Sequence, residues 1–228
     1  MIALNNSNRP DSFARRAELK FRKGEIIFQQ GDPVSHWFEV ISGTVRTCHF
    51  YADGHRHLTG FFYPGDVFGV SGGTHEATAE AVSSATLRCH ANVTANDANT
   101  ANAQLPSLSR RALERALDSA QACIQLLGHR TAADRMAAFL LATSRRIGVT
   151  GPFLLPMSRT DIADHLGLTI HTVSRILSDF VRRRLIALDG PQSITICDKA
   201  GLARVAGGAE EKSAWTQCRP RQPQLVNS

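Results

Sequence analysis

The chain has 228 residues, 43% of them hydrophobic, and a formal charge of +6. That length and apolar content favour two packed domains over one, and with no apolar run near the roughly 20 residues of a membrane span, no membrane partner is expected. Cys48, Cys89, Cys123, Cys197 and Cys218 form no CxxC pair, and without a signal peptide this odd set argues against a disulfide scaffold and for a reducing cytoplasm. Residues 1–105 hold 9 basic and 10 acidic side chains while residues 106–228 hold 17 and 10, so the halves carry −1 and +7. A basic C-terminal half suits a polyanion, whose phosphates supply sequence-independent affinity; on its own it suits a solvated surface equally.

Residues 1–19 read as a loose or partly helical leader, since Arg15, Arg16 and Glu18 flank little apolar surface. From Lys20 to about Cys89, short apolar runs are punctuated by glycine at intervals near ten residues, as in Gly31-Asp32, Ser42-Gly43, Asp53-Gly54 and Gly65-Asp66. Gly-Asp and Asp-Gly pairs supply the positive backbone angles of tight hairpins, and EIIFQ, HWFEVI, TVRTCHF and HLTGFFY are rich in β-branched and aromatic residues. The pattern predicts an antiparallel β-roll or jelly roll of roughly eight strands, placed at residues 20–104 with the small, polar stretch 90–104 as a loop or linker. A roll encloses an interior that holds either a packed core or a small-ligand pocket.

From Leu105 the period becomes helical. Leu113, Leu117, Ala120, Ile124 and Leu127 recur at intervals of 4, 3, 4 and 3, a seam that buries one stripe against a partner helix. Homodimerisation over residues 105–130 is the reading preferred here, because small Ala120 suits close helix approach; packing on the chain's own roll is the alternative. Gly128 interrupts the run, and Thr131 with Asp134 makes a capping box for a second helix carrying Met136, Phe139 and Leu140, which Gly148 can stop.

The segment SRTDIADHLGLTIHTVSRIL, residues 158–177, reads as a helix-turn-helix. Ile162, Ala163 and Leu166 lie on one face of the first helix, Gly167 makes the turn, and Thr169 caps a second helix with Val173, Ile176 and Leu177 inward. His171, Thr172, Ser174 and Arg175 must then point away, toward base edges, phosphates or plain water. The capped N-terminus would bring free N–H groups and a positive helix end to a DNA backbone. Residues 185–196 read as two short strands about Asp189-Gly190-Pro191, which makes the unit winged over residues 131–206. Arg182, Arg183 and Arg184 complement the helix C-terminus and lie near phosphates rather than reading bases. Residues 207–228 lack any period and read as a disordered tail, in which Trp215 has no evident partner.

A glycine-punctuated roll, a long central helix and a winged helix-turn-helix with TVSR at 172–175 resemble the Crp/Fnr superfamily of bacterial transcription regulators. LPMSRTDIADHLGLTIHTVSRIL at 155–177 and FYPGDVFGV at 62–70 resemble its FixK branch. The resemblance spans about residues 20–200 and implies an α+β chain: a cyclic-nucleotide-binding-like jelly roll, a dimerisation helix and a winged helix-turn-helix. It implies a homodimer on double-stranded DNA of the TTGA-N6-TCAA type, working with RNA polymerase as an activator of microaerobic, denitrification or nitrogen-fixation genes. By position Arg175 would reach a guanine O6/N7 pair, Ser174 a thymine or phosphate, and Ser158, Arg159 and Thr169 the backbone. His171 stands where the family commonly has glutamate; imidazole can donate or accept, so the base read there stays open. Arg184 stands where a glycine often closes the helix.

The sensor half departs further. Relatives that bind cyclic AMP grip its phosphate with an arginine-serine pair, whereas Phe68–Val82 contains no arginine, and a buried phosphate without a cation is costly. The cysteine cluster of oxygen-sensing relatives lies in the leader, where this chain has no cysteine before Cys48. His49, His55, His57, His75 and His90 read as solvent-exposed rather than as metal ligands, since Cys48 and His49 should face opposite ways on a strand and no carboxylates complete a set. Haem stays open, because some members of the superfamily bind it with few sequence marks. An effector-independent regulator is thus preferred over a sensor gated by haem, nitric oxide or a metabolite. A cupin-like enzyme is not expected, because the histidine and glutamate spacing offers no converging ligand set.

Overall fold

The computed structural model describes residues 18–91, 105–148, 151–190 and 192–207. Two four-stranded antiparallel sheets come first. One runs in the spatial order β1 (Glu18–Phe21), β8 (Ala85–Ala91), β3 (His36–Ser42), β6 (Val67–Phe68), and the other β2 (Ile26–Phe28), β7 (Thr78–Ala81), β4 (Val45–Phe50), β5 (Arg56–Phe62). Ala85, Leu87 and Cys89 alternate inward along β8, and with Phe38, Val40, Val45, Phe68 and Ala79 they make a core drawn from both sheets. This is the expected eight-stranded roll. At Gly43, between β3 and β4, φ is +83° and a Cβ would sit 2.3 Å from the Ser84 carbonyl oxygen, so only glycine fits. The first strand takes in Glu18 and Leu19 of the stretch read as leader; the rest of that stretch, most of the 90–104 linker and nearly all of the tail lie outside the described residues.

Helix α1 (Leu105–Leu127) ends before Gly128, as the sequence predicts. Helix α2 (Ala132–Ile147) begins at a complete Thr131/Asp134 capping box and stops at left-handed Gly148, φ +74°. Then come β9 (Phe153–Leu154), α3 (Arg159–Leu166), α4 (Ile170–Arg182), β10 (Ile186–Leu188), β11 (Ser193–Ile196) and α5 (Lys199–Val205). The wing has three strands in the order β10-β11-β9, one more than the two expected. β9 is two residues long and α5 seven, each too short to leave a period in the sequence. Arg184 adopts φ +58°, the left-handed conformation that a glycine would take without strain.

The roll and the helical unit share a second apolar cluster. Cys48, Leu58, Phe61 and Tyr63 of the β4–β5 face belong with Met136, Phe139 and Leu140 of α2, Ile162 and Leu166 of α3, and Val173, Leu177 and Phe180 of α4. The predicted seam on α1 lies elsewhere. Leu113, Leu117 and Ile124 are 58%, 57% and 70% exposed; Ala120 is also exposed and Leu127 half-buried. Ala112, on another face of α1, is the residue that packs with Trp37 and Val67 of the roll.

Candidate nucleic-acid interface

Helices α3 and α4 are joined by the turn Gly167–Thr169, with Gly167 left-handed at φ +62°. Val173 and Leu177 are buried and Ile176 packs against the same cluster, so the opposite face of α4 turns out. His171 and Arg175 are exposed, and Thr172 and Ser174 half-buried. The Thr169 hydroxyl accepts from the Thr172 N–H at 3.1 Å, which satisfies one orphan donor of α4. Thr131–Ala133 at the start of α2 line a shallow groove with Thr172, Arg175, Ser178 and Arg182.

Two predicted contact residues meet: Arg159 donates from Nη1 to the Ser174 hydroxyl at 3.3 Å. Ser158, read from sequence as a phosphate contact, is the N-cap of α3, and its hydroxyl accepts from the Asp161 N–H at 3.1 Å and donates to the Asp161 carboxylate at 2.8 Å. The pattern Ser-x-x-Asp at 158–161 carries this capping box, as Thr-x-x-Asp does at 131–134. Arg182 and Arg183 both pair with Asp179, close to the end of α4.

Sequence reasoning missed how α3 is seated. Its Asp161 pairs with Arg46 and Arg56 of the roll, and Asp164 accepts from Arg56 Nε at 3.0 Å. Arg46 is itself anchored by Glu80, at 2.9 Å to both carboxylate oxygens. His165, 6% exposed, lies 3.1 Å through Nδ1 from the Leu58 carbonyl oxygen and meets Phe61 and Phe139 edge-on. Burial holds its pKa below the ordinary histidine range, with His57 adding in the same direction against the bond to Leu58. On α2, Arg146 pairs with Asp66 and lies 5.4 Å over the Tyr63 ring, and burial pushes the Tyr63 pKa up to about 12.

A cavity of about 420 Å³ lies between the roll and helices α1 and α2. Phe28, Phe61, Phe68, Phe139 and Cys123 line it with Arg146, which among the described lining residues is the one guanidinium and is already held by Asp66. The histidines divide differently from expectation. His55 is exposed, but His75 is buried and stacks on Phe28 at 3.6 Å, and His90 stacks on Trp37 at 3.9 Å. Each found an aromatic neighbour distant in sequence, which strand alternation could not show. Cys48 is buried, whereas His49 bonds the Glu76 carbonyl oxygen at 2.7 Å.

Residues 134–205 match the family model of the Crp-like helix-turn-helix domain and residues 18–93 that of the cyclic nucleotide-binding domain. The transcriptional activator protein FnrA of Stutzerimonas stutzeri is 35% identical over 198 residues, 82% of this chain and 80% of that protein. The chain belongs to the Crp/Fnr family. Another Crp/Fnr relative, the nitrogen fixation regulation protein FixK of Rhizobium meliloti, is 36% identical over 191 residues, 82% of this chain and 86% of its own length. The structure of FixK2 from Bradyrhizobium japonicum superposes with a TM-score of 0.77 at 34% identity, covering 86% of this chain and all of that one. This Crp/Fnr chain is accordingly a DNA-binding transcription regulator with a helix-turn-helix, and its likeness to FixK proteins matches the branch read from residues 155–177. Among the described residues no helix is long and apolar enough to cross a membrane.

Proposed function

We propose that this regulator is a FixK-like activator that binds a TTGA-N6-TCAA palindrome as a homodimer and needs no bound effector. The observation that carries the reading is that the protomer leaves open two surfaces the reading needs: the polar face of α4 with His171 and Arg175, and the α1 stripe of Leu113, Leu117, Ala120 and Ile124. Pairing two protomers along that stripe presents two recognition helices, and a palindrome with half-sites about 34 Å apart requires a pair. Arg175 reads guanine through a forked pair of donors. His171, Thr172 and Ser174 read neighbouring positions, while Arg159, Thr169 and the capped start of α3 at Ser158 meet phosphates. The names of the FixK relatives point to genes of nitrogen fixation, and the reading adds microaerobic genes, RNA polymerase as partner and the cytoplasm as the place of action. A gel shift of the purified chain on a TTGA-N6-TCAA duplex against a scrambled one tests this. Selective retardation without additives supports it, and equal retardation of both sinks it.

The cavity favours one second reading, a regulator gated by an uncharged, largely apolar small molecule. Its size lies within the roughly 300–1,000 Å³ of ligand pockets, and its aromatic walls, with Arg146 already paired, suit such a molecule better than a cyclic phosphate. Shape-selective stimulation of DNA binding by a panel of aromatic compounds would favour it over effector independence.

A further inference from the structure

We propose that Arg46 and Arg56 of the roll are positioning residues for DNA recognition, acting through Asp161 and Asp164 to set the angle of α3 and with it the outward face of α4. The proposal rests on the reading of α4 as the recognition helix.

Apolar contacts, ion pairs and the His165–Leu58 hydrogen bond hold the helical unit to the roll, and the first two do different work. The apolar ones, with Leu58 and Phe61 against Phe139 and Leu166, supply adhesion and a fitted shape but no charge-directed alignment, because the hydrophobic driving force is itself non-directional. The ion pairs are directional. Each guanidinium is a planar fork that matches a carboxylate in few orientations, and each is built to be stiff. Arg46 is clamped by Glu80 on its own sheet before it reaches Asp161. Arg56 spans Asp161 and Asp164 at once, three positions apart on the face of α3 turned to the roll. Two fixed points along one helix define its rotation as well as its position. Asp161 is only 6% exposed and Arg46 15%, so salt screens these pairs less than it does surface pairs.

Asp161 is also the partner of the N-cap Ser158 in the capping box of α3, so the same carboxylate ties the helix start to the roll. From α3 the constraint passes to α4 by packing of Ile162 and Leu166 with Val173 and Leu177. In this seated pose His171 and Arg175 face solvent, so the pose suits a groove. Releasing α3 leaves α4 to sample many angles, of which few match both half-sites of a palindrome, and the tax falls on specific binding.

The test is a charge exchange at Arg56 and Asp164, a pair that spares the capping box. Arg56→Asp, Asp164→Arg and the double variant are compared with the parent chain by fluorescence anisotropy on a TTGA-N6-TCAA duplex and on a scrambled duplex. Sedimentation and circular dichroism follow assembly and fold. The readout is the ratio of specific to random affinity, which cancels the bare change in net charge. Each single variant is expected to lower that ratio at least tenfold with fold and assembly kept, and the double variant to restore it to within about threefold. An unchanged ratio in both single variants overturns the proposal while leaving the reading of α4 intact. A ratio lost in the single variants and not regained on exchange overturns it as well, since the effect would not then pass through the pair. A parent chain that does not distinguish the two duplexes overturns the reading of α4 and this inference with it.

Discussion

Placing a carboxylate on the α1 stripe is expected to abolish dimerisation without disturbing the protomer. Burying a leucine or isoleucine side chain completely is worth roughly 1.5–3 kcal/mol. Leu113, Leu117 and Ile124 still offer 58%, 57% and 70% of their surface, so closing the stripe contributes about 1–2 kcal/mol for each, or about 6–12 kcal/mol over the two protomers. That is enough to offset a cost of association on the order of 4–15 kcal/mol only when the whole stripe closes. Ile124→Asp removes two of these six contributions and brings two carboxylates into the seam, where desolvation costs several kcal/mol more. The combined loss, on the order of 4 kcal/mol or above, corresponds to about a thousandfold in the dimer constant. Sedimentation velocity at micromolar concentration should show a monomer for Ile124→Asp and a dimer for Arg111→Asp, which changes an exposed residue of the same helix off the stripe. Circular dichroism should give the same helix and strand content for both. An Ile124→Asp chain that sediments as a dimer would refute the reasoning and move the interface off α1.

Arg175→Ala should cost about 1–3 kcal/mol on the palindrome and leave affinity for scrambled DNA nearly unchanged; equal losses on both remove it from base reading. Arg159→Ala should weaken both duplexes alike and reduce the salt slope by about one, and an undiminished slope would detach it from phosphate. Phe180→Ala, at a fully buried position in the shared cluster, should lower unfolding free energy by about 3–5 kcal/mol, read as a lower urea midpoint. Burial lowers the pKa of His165 and of His75, so the folded chain favours both rings neutral. The unfolded chain takes up protons first, so this contribution to stability is complete above pH about 6.5 and is lost as pH falls from there toward the folded values. His165→Gln should flatten the decline of the urea midpoint between about pH 7 and 5; a variant that declines as steeply as its parent refutes the assignment.

What could be read from sequence was what neighbouring residues decide among themselves. Thr131 with Asp134, Gly128, Gly148, Gly167 and Thr169 fall where the helices start and stop, because caps act within one turn. Glycine-aspartate pairs and β-branched runs marked β2 to β5 for the same reason. The seating of α3 was hidden because Arg46 and Asp161 are 115 positions apart. Asp161 looks like an ordinary capping residue until the roll is placed beside it, and His165 looks like a polar position on an exposed helix. Its burial is imposed by Leu58, Phe61 and Phe139, none of which is near it in the chain. The seven-residue α5, capped by Asp198, was too short for periodicity to find. The outward face of α4 was legible because a capped amphipathic helix declares both of its sides.

The apolar cluster that joins β4 and β5 to α2, α3 and α4 bears on how freely parts of this regulator can be exchanged. A hybrid that splices another protein's roll onto this chain at residue 130 would confront Phe139 and Leu166 with a surface shaped for someone else's helices. Such a graft needs Arg46, Arg56, Leu58 and Phe61 carried across along with the helical segment, so the sensible unit of transplantation is a segment plus its mould, and the splice point in the backbone is a poor guide to where one module ends.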